Sequence, residues 1–231
     1  MEKKINVHNI FWYFVIFSII GLIVETLFGY ATTGVIDSRK GLLWGPFCPI
    51  YGVGAVVLII LLDKYKDKDW KIFLYGGILG GIIEYILSFV LEAMYSSRFW
   101  DYSHVSFNLN GRICIKYSIY WSVLSIILMK YIKPWIDKYI DKISNNKKII
   151  AERILFIFLV VDVIVTIWAI TTYKNRALDV YYNRTDSKSR EGILYNIEEN
   201  YFNNKRMLKT FPNLRVQLED GTEKFIREIL E

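Results

Sequence analysis

Three glutamates and an aspartate lie where charge is expensive: Glu25, Glu84, Glu92 and Asp162 all fall inside long apolar runs. A charged side chain at the centre of a membrane helix costs about 2.5–3.5 kcal/mol on insertion scales, so such residues turn toward a polar interior. Two readings stay open for Glu25 and Glu84. They line a cavity that meets a cation, a proton or an amine, or they are structural, paired with Arg112 or Arg153 or bonded by tyrosines. Glu84 and Glu92 are eight residues apart, hence on one helical face. For Glu92 and Asp162 the structural reading leads. Arg112 stands at the mouth of an apolar segment, where its fork suits a carboxylate or a phosphate. With Asn108 and Asn110 it could hold a lipid head group, or it is the counter-ion of Glu84 or Glu92.

The acids recur with their surroundings. Gly21-Leu22-Ile23-Val24-Glu25 returns as Gly80-Gly81-Ile82-Ile83-Glu84, a Gly-x-Ile-x-Glu pattern. Gly45-Pro46-Phe47-Cys48-Pro49-Ile50-Tyr51 returns as Gly111-Arg112-Ile113-Cys114-Ile115-Lys116-Tyr117. The expectation is a duplicated two-helix hairpin, repeat one over about 9–65 and repeat two over about 72–133, with a site between the halves. Tyr51 and Tyr117 are then expected to hydrogen-bond across the repeat interface. Cys48 and Cys114 fall at matching positions, as buried free thiols or a disulfide. Gly45, Pro46 and Pro49 predict irregular backbone over a whole turn. At membrane depth that survives only inside protein or beside water.

The elements that position these residues are apolar spans. Of the 231 residues 53% are hydrophobic and 16% aromatic. Five runs reach the roughly 20 residues that a membrane helix needs: Asn9–Tyr30, Trp44–Leu62, Ile72–Tyr95, Ile113–Tyr131 and Ile149–Thr171. The chain reads as an all-α polytopic membrane protein with a transmembrane domain over 1–171 and a small soluble tail over 172–231. The first run is longer than a secretory signal and carries Glu25, so it is read as a retained span. Twelve lysines (Lys3, Lys4, Lys64, Lys66, Lys68, Lys71, Lys130, Lys133, Lys138, Lys142, Lys147 and Lys148) fall on one side, against Arg39, Lys40, Arg98 and Arg112 on the other. The positive-inside rule places the N-terminus and both lysine-rich loops in the cytoplasm of a cell-membrane protein, so that the two repeats run parallel. Five spans put the tail outside, or in the cytoplasm if one segment is re-entrant.

Trp44, Trp100 and Tyr102 suit the outer aromatic belt. Lys130–Lys148 reads as an amphipathic surface helix, with Trp135, Ile136, Tyr139, Ile140 and Ile143 on one side. Gly76, Gly77, Gly80 and Gly81 form a small-residue packing face. In the tail, a helix is expected near Glu191–Met207, a strand at Leu214–Leu218, a turn at Asp220-Gly221 and a helix over Glu223–Leu230. The net charge of +6 faces anionic head groups and calls for no nucleic acid. No phosphate-binding Gly-x-x-x-x-Gly-Lys-Ser/Thr, nucleophile elbow, His-Glu-x-x-His or Cys-x-x-Cys occurs, and His8 and His104 are too scattered for zinc. No cofactor, metal or catalytic residue is called for.

Gly21–Glu25, Gly41–Gly52, Glu84-Tyr85, Phe107–Arg112 and, in the tail, Phe211-Pro212-Asn213-Leu214-Arg215 resemble the bacterial membrane family of CmpB-like ABC-transporter type IV proteins. The resemblance covers nearly the whole chain and is densest from Gly21 to Pro134. It implies a permease-like subunit served by an ATPase on a separate chain. It carries no site residues over. Five spans are few for a complete transporter, so a homo-oligomer or a larger partner is expected. The alternatives are a membrane enzyme or lipid-binding protein at the outer interface, and a non-catalytic assembly or regulatory protein.

Overall fold

In a computed structural model the chain is described for residues 6–95, 100–143, 145–184 and 193–230. Lys3, Lys4, Arg98 and most of the polar stretch 183–190 lie outside the described residues. The structure is mostly helical, and its strands form two two-stranded sheets. Among the described residues, three helices are long and apolar enough to cross a membrane: α1 (Val7–Thr33), α3 (Asp69–Tyr95) and α6 (Asn145–Tyr181). At 1.5 Å per residue the first two are each about 40 Å long and α6 about 55 Å, against a hydrocarbon core of about 30 Å.

The second and fourth apolar runs form shorter helices. The first of these, α2 (Pro49–Leu62), begins five residues later than the start of its run, and α4 covers Ile115–Ile127. Each is only about 20 Å long. The cause lies in the backbone ahead of them. Pro49 lacks an N–H and sits where a helix start tolerates that. Gly45 and Gly111, three residues before each helix N-cap cysteine, both take a left-handed φ of 67°, which glycine adopts without strain. The chain therefore turns at matching places before it enters each short helix.

Hydrogen bonds fix how deep these turns lie. Cys48 N–H donates to the carbonyl of Ser18, near the middle of α1. Thus α2 starts at mid-depth and runs to the same end as Val7. The long α3 packs on α4 as α1 packs on α2. A Cβ placed on Gly81, midway along α3, would stand 3.3 Å from Ser118 Oγ in the first turn of α4. Ahead of α4, β1 (Asn108–Leu109) pairs with β2 (Ile113–Cys114) in a tight hairpin.

The ends of α2 and α4 meet at the lysine-rich end. Tyr13, Phe17, Leu58, Ile59, Leu62, Ile72, Leu128, Met129, Ile136 and Ile140 form one buried cluster joining both helix pairs. A π turn at Leu128–Ile132 leads into α5 (Lys133–Lys142). This helix is shorter than the amphipathic stretch foreseen, because the chain leaves helical geometry at Ile143 and α6 follows separately. Its apolar side also divides. Ile136 and Ile140 are buried, whereas Trp135 and Tyr139 are exposed and pack edge to face, 4.7 Å apart. Tyr13 donates to Asp137, Lys133 pairs with Asp137 at 2.9 Å, and Lys130 pairs with Asp69 at 2.5 Å.

From that end α6 rises along α1, starting beside it through His8 and Glu152 (2.8 Å). It continues past Thr171 to Tyr181. Its last turns, with Ala169, Ile170, Tyr173 and Ala177, carry the core of the tail: Phe202, Met207, Phe211, Leu214, Val216, Leu218 and Ile226. Leu43 joins this core, and the half-buried Trp44 packs on it. The expected tail helix is two, α7 (Ile193–Tyr201) and α8 (Asn204–Thr210), because Asn203 caps a new start through Arg206 N–H. The expected strand is β3 (Arg215–Gln217), and the turn holds, with Gly221 at φ 82°. The expected last helix begins late. Glu223–Phe225 is drawn into pairing with β3 as β4, leaving α9 (Ile226–Leu230).

Close helix packing rests on glycine. A Cβ at Gly21 would fall 2.1 Å from Tyr51 Cβ, near the α2 backbone, whereas none of the surroundings comes within 4 Å at Gly54. Gly21→Ala should lower unfolding stability in detergent by about 1–3 kcal/mol. Gly54→Ala should be neutral or gain up to about 1 kcal/mol from helix propensity. Equal effects at the two positions would refute the close approach of α1 and α2.

Candidate functional site

The first acid is built by one helix turn. Tyr51, in the first turn of α2, lies on the bare surface left by Gly21, and its hydroxyl donates to Glu25 Oε2 at 2.5 Å. Glu25, four residues beyond Gly21, stands directly above it. No side chain caps α2, whose N-cap is Cys48. A carboxylate here sits beside the positive end of a helix dipole.

The second acid repeats the plan with a different donor. Gly80 leaves the bare surface and Trp121 fills it. Trp121 Nε1 donates to Glu84 Oε2 at 3.1 Å, and Tyr102 Oη donates to Oε1 at 2.8 Å. Glu84 is 9% exposed. Burial and the adjacent Glu84 carboxylate push the Tyr102 hydroxyl up from its ordinary pKa, which keeps it a donor. Tyr117, the motif mate of Tyr51, instead stacks on Tyr102 with ring centroids 4.5 Å apart. Its role has moved one turn along α4 to Trp121. Tyr51 and Tyr117 therefore each serve their own helix pair rather than bonding to each other. Sequence reading missed Trp121 because the motif pointed at Tyr117. The shared spacing of four residues from glycine to acid was the available signal.

Arg112 is consumed by structure. Its Nη1 donates to Ser88 Oγ at 3.0 Å, its Nη2 pairs with Glu92, and the guanidinium lies over the rings of Tyr85 and Phe89. Glu92, not Glu84, is its counter-ion. Trp100 Nε1 donates to the Arg112 carbonyl at 3.0 Å. Asn108 closes its own turn, donating to the Val105 carbonyl and accepting from Gly111 N–H. Asn110 donates to Tyr85 Oη at 3.0 Å. These residues clamp the hairpin onto the upper half of α3, and the head-group reading of this trio finds its donors already engaged.

Asp162 anchors the other irregular segment. Fully buried in α6, its Oδ1 accepts from Trp44 N–H at 3.1 Å and from Thr166 Oγ1 at 3.2 Å. Thr166 Oγ1 accepts in turn from Leu43 N–H at 2.9 Å. Gly41 N–H bonds the Phe47 carbonyl at 2.9 Å. Gly45, Pro46 and Pro49 thus shape a segment whose amides are met by α1, α6 and itself. Cys48 and Cys114 are both buried and free. Among the described residues no hydrogen bond or ion pair joins Glu25 or Tyr51 to Glu84, Tyr102 or Trp121.

Asp162→Ala should loosen the 41–48 segment and cost about 1–3 kcal/mol, the penalty of leaving buried donors unmet. Asp162→Asn keeps one accepting oxygen and should cost less. Amide exchange at Leu43 and Trp44 checks this, and equal loss in both variants would mean that charge rather than the accepted bonds holds the segment.

Residues 12–167, which include both acid-bearing helix pairs and Asp162, match the family described as "Putative ABC-transporter type IV". No curated protein and no solved structure matches the chain. With the family match covering most of its length, this membrane protein belongs to the ABC-transporter type IV, CmpB-like family.

Proposed function

We propose that the chain is the permease-like membrane subunit of an ABC-type transport system whose ATPase is a separate chain. One observation carries the reading. Two short helices start at mid-depth under irregular backbone, and each has a carboxylate of the neighbouring long helix at its starting end. In membrane transporters, interrupted helices of this kind mark the place where a ligand or coupling ion is held. Glu25 with Tyr51, and Glu84 with Tyr102 and Trp121, are the residues that would line such a pathway.

In this reading α2 and α4 complete their crossings through the irregular segments, giving five spans. The matching glycine turns, N-cap cysteines and glycine-to-acid spacings support a tandem duplication of the helix pair. The lysine-rich end faces the cytoplasm and the tail lies outside, with α6 continuing from the membrane domain into it. The ATPase would dock at the lysine-rich end, where Trp135 and Tyr139 present an exposed aromatic edge beside Lys138 and Lys142. Aromatic residues flanked by charge are favoured anchors at protein interfaces.

Native purification in mild detergent tests this. An ATPase chain should co-purify in stoichiometric amount, and Trp135→Ala with Tyr139→Ala should release it while the membrane chain stays folded. Glu25→Gln with Glu84→Gln should retain the ATPase yet lower its turnover by roughly tenfold, as loss of an essential proton or ion carrier does. A preparation with no ATPase and one retained lipid would overturn the permease reading in favour of a lipid-binding protein.

A further inference from the structure

Two arginines on the far side of the molecule, Arg39 and Arg112, are treated in opposite ways. Arg112 is bonded to Ser88 and Glu92 and sandwiched by rings. Arg39 has no described residue accepting a hydrogen bond from it, and its Nε is buried without a partner. The neighbouring Ser38 Oγ is likewise buried and unpartnered. Yet the guanidinium is held in place. It lies flat on α1 where Gly29 has no side chain, so close that a Cβ there would stand 2.9 Å from Nη2 and 3.0 Å from Nε.

Depth and surroundings say what such a group would meet. With α1 centred in the bilayer, Gly29 lies about 14 Å from the midplane, against a half-thickness of about 15 Å for the hydrocarbon. Arg39 is therefore at the boundary where lipid phosphates begin. Phe28, next to Gly29 in the chain, and Val35 and Ile36, a few residues ahead of Arg39, are exposed and apolar, which suits acyl chains below a head group. Lys40 follows at once in the chain. A fixed guanidinium with unused forked donors is the group that matches phosphate oxygens in two bonds.

We infer that Arg39, seated on Gly29 and flanked by the Ser38 hydroxyl, binds a phosphate group at the far membrane interface, as carried by an anionic phospholipid or as the free ion. The site stands apart from the transport reading, because binding can be measured on the isolated chain with no ATPase present. Glu25 lies one helix turn deeper than Gly29 on α1, so an occupied site would bring anionic charge to the outer side of the Glu25–Tyr51 pair.

Native mass spectrometry of the full chain, titrated with short-chain phosphatidylglycerol, tests the inference. Phosphate-free diacylglycerol and inorganic phosphate serve as comparison probes. The chain should retain phosphatidylglycerol over diacylglycerol, and Arg39→Gln should weaken that retention roughly tenfold or more, as expected for a charged hydrogen-bonded contact. Gly29→Ala provides a second route. It should leave the helix intact, push the guanidinium off α1 and weaken binding in the same direction, whereas Lys116→Gln should not. Competition by millimolar inorganic phosphate would assign the site to the free ion, and its absence would assign it to the lipid. Unchanged phosphatidylglycerol retention in Arg39→Gln, or equal retention of diacylglycerol, would overturn the inference.

Discussion

The bilayer interior offers no water to backbone amides, and the arrangement of this protein follows from how it meets that constraint. Two short helices begin beside the middles of long apolar helices, so two stretches of non-helical chain must find their hydrogen-bond partners within the protein. The first stretch takes them from Ser18 of α1, from Asp162 and Thr166 of α6, and from its own Phe47 carbonyl. The second closes on itself as a hairpin and is pinned to α3 by Tyr102, Asn110 and Arg112. Without these contacts each irregular segment would leave several donors unmet, at about 1–3 kcal/mol apiece.

The same constraint sorts the polar residues into roles. Asp162 and Glu92 are fixed to backbone or guanidinium partners whose purpose is to hold a segment. Among the described residues, Glu25 accepts from Tyr51 of α2, and Glu84 from Trp121 of α4 and Tyr102 of the segment ahead of β1, and neither acid has a described ion-pair partner. Their neighbours Gly21 and Gly80 explain how those aromatics reach them. Removing the side chain from one helix lets the ring of the next lie against its backbone. A packing device and a polar device are thus the same four residues of helix. The lysine-rich end works differently. There an apolar cluster joins the two helix pairs, and ion pairs at its rim tie α3, the π turn and α5 together.

Much of this was legible from residue order. Long apolar runs, acids embedded in them, glycines four residues before two of those acids, and the Gly-Pro-Phe-Cys-Pro segment announced a membrane protein with irregular backbone at depth. Those inferences rest on local chemistry: the length of a hydrophobic run, the missing N–H of proline, the cost of a buried charge. Family membership was also readable, since motif residues are written directly in the chain. The tail was partly readable. The Asp220-Gly221 turn is a local signal, but β4 forms because Arg215–Gln217 happens to lie opposite, and pairing is not local.

What the tertiary structure decided was which partner each polar group found. Sequence left Arg112 between Glu84, Glu92 and a head group, and folding gave it to Glu92 and Ser88 because the hairpin crosses α3 at that height. Sequence matched Tyr51 with Tyr117, and folding gave Glu84 to Trp121, one turn further along α4 on the same face. It named Arg39 only as a charge of the far side, whereas packing laid it on Gly29 with its donors open. Composition and spacing fix what a helix must bury. Register between helices, set by many small packing contacts, fixes what each buried group can reach.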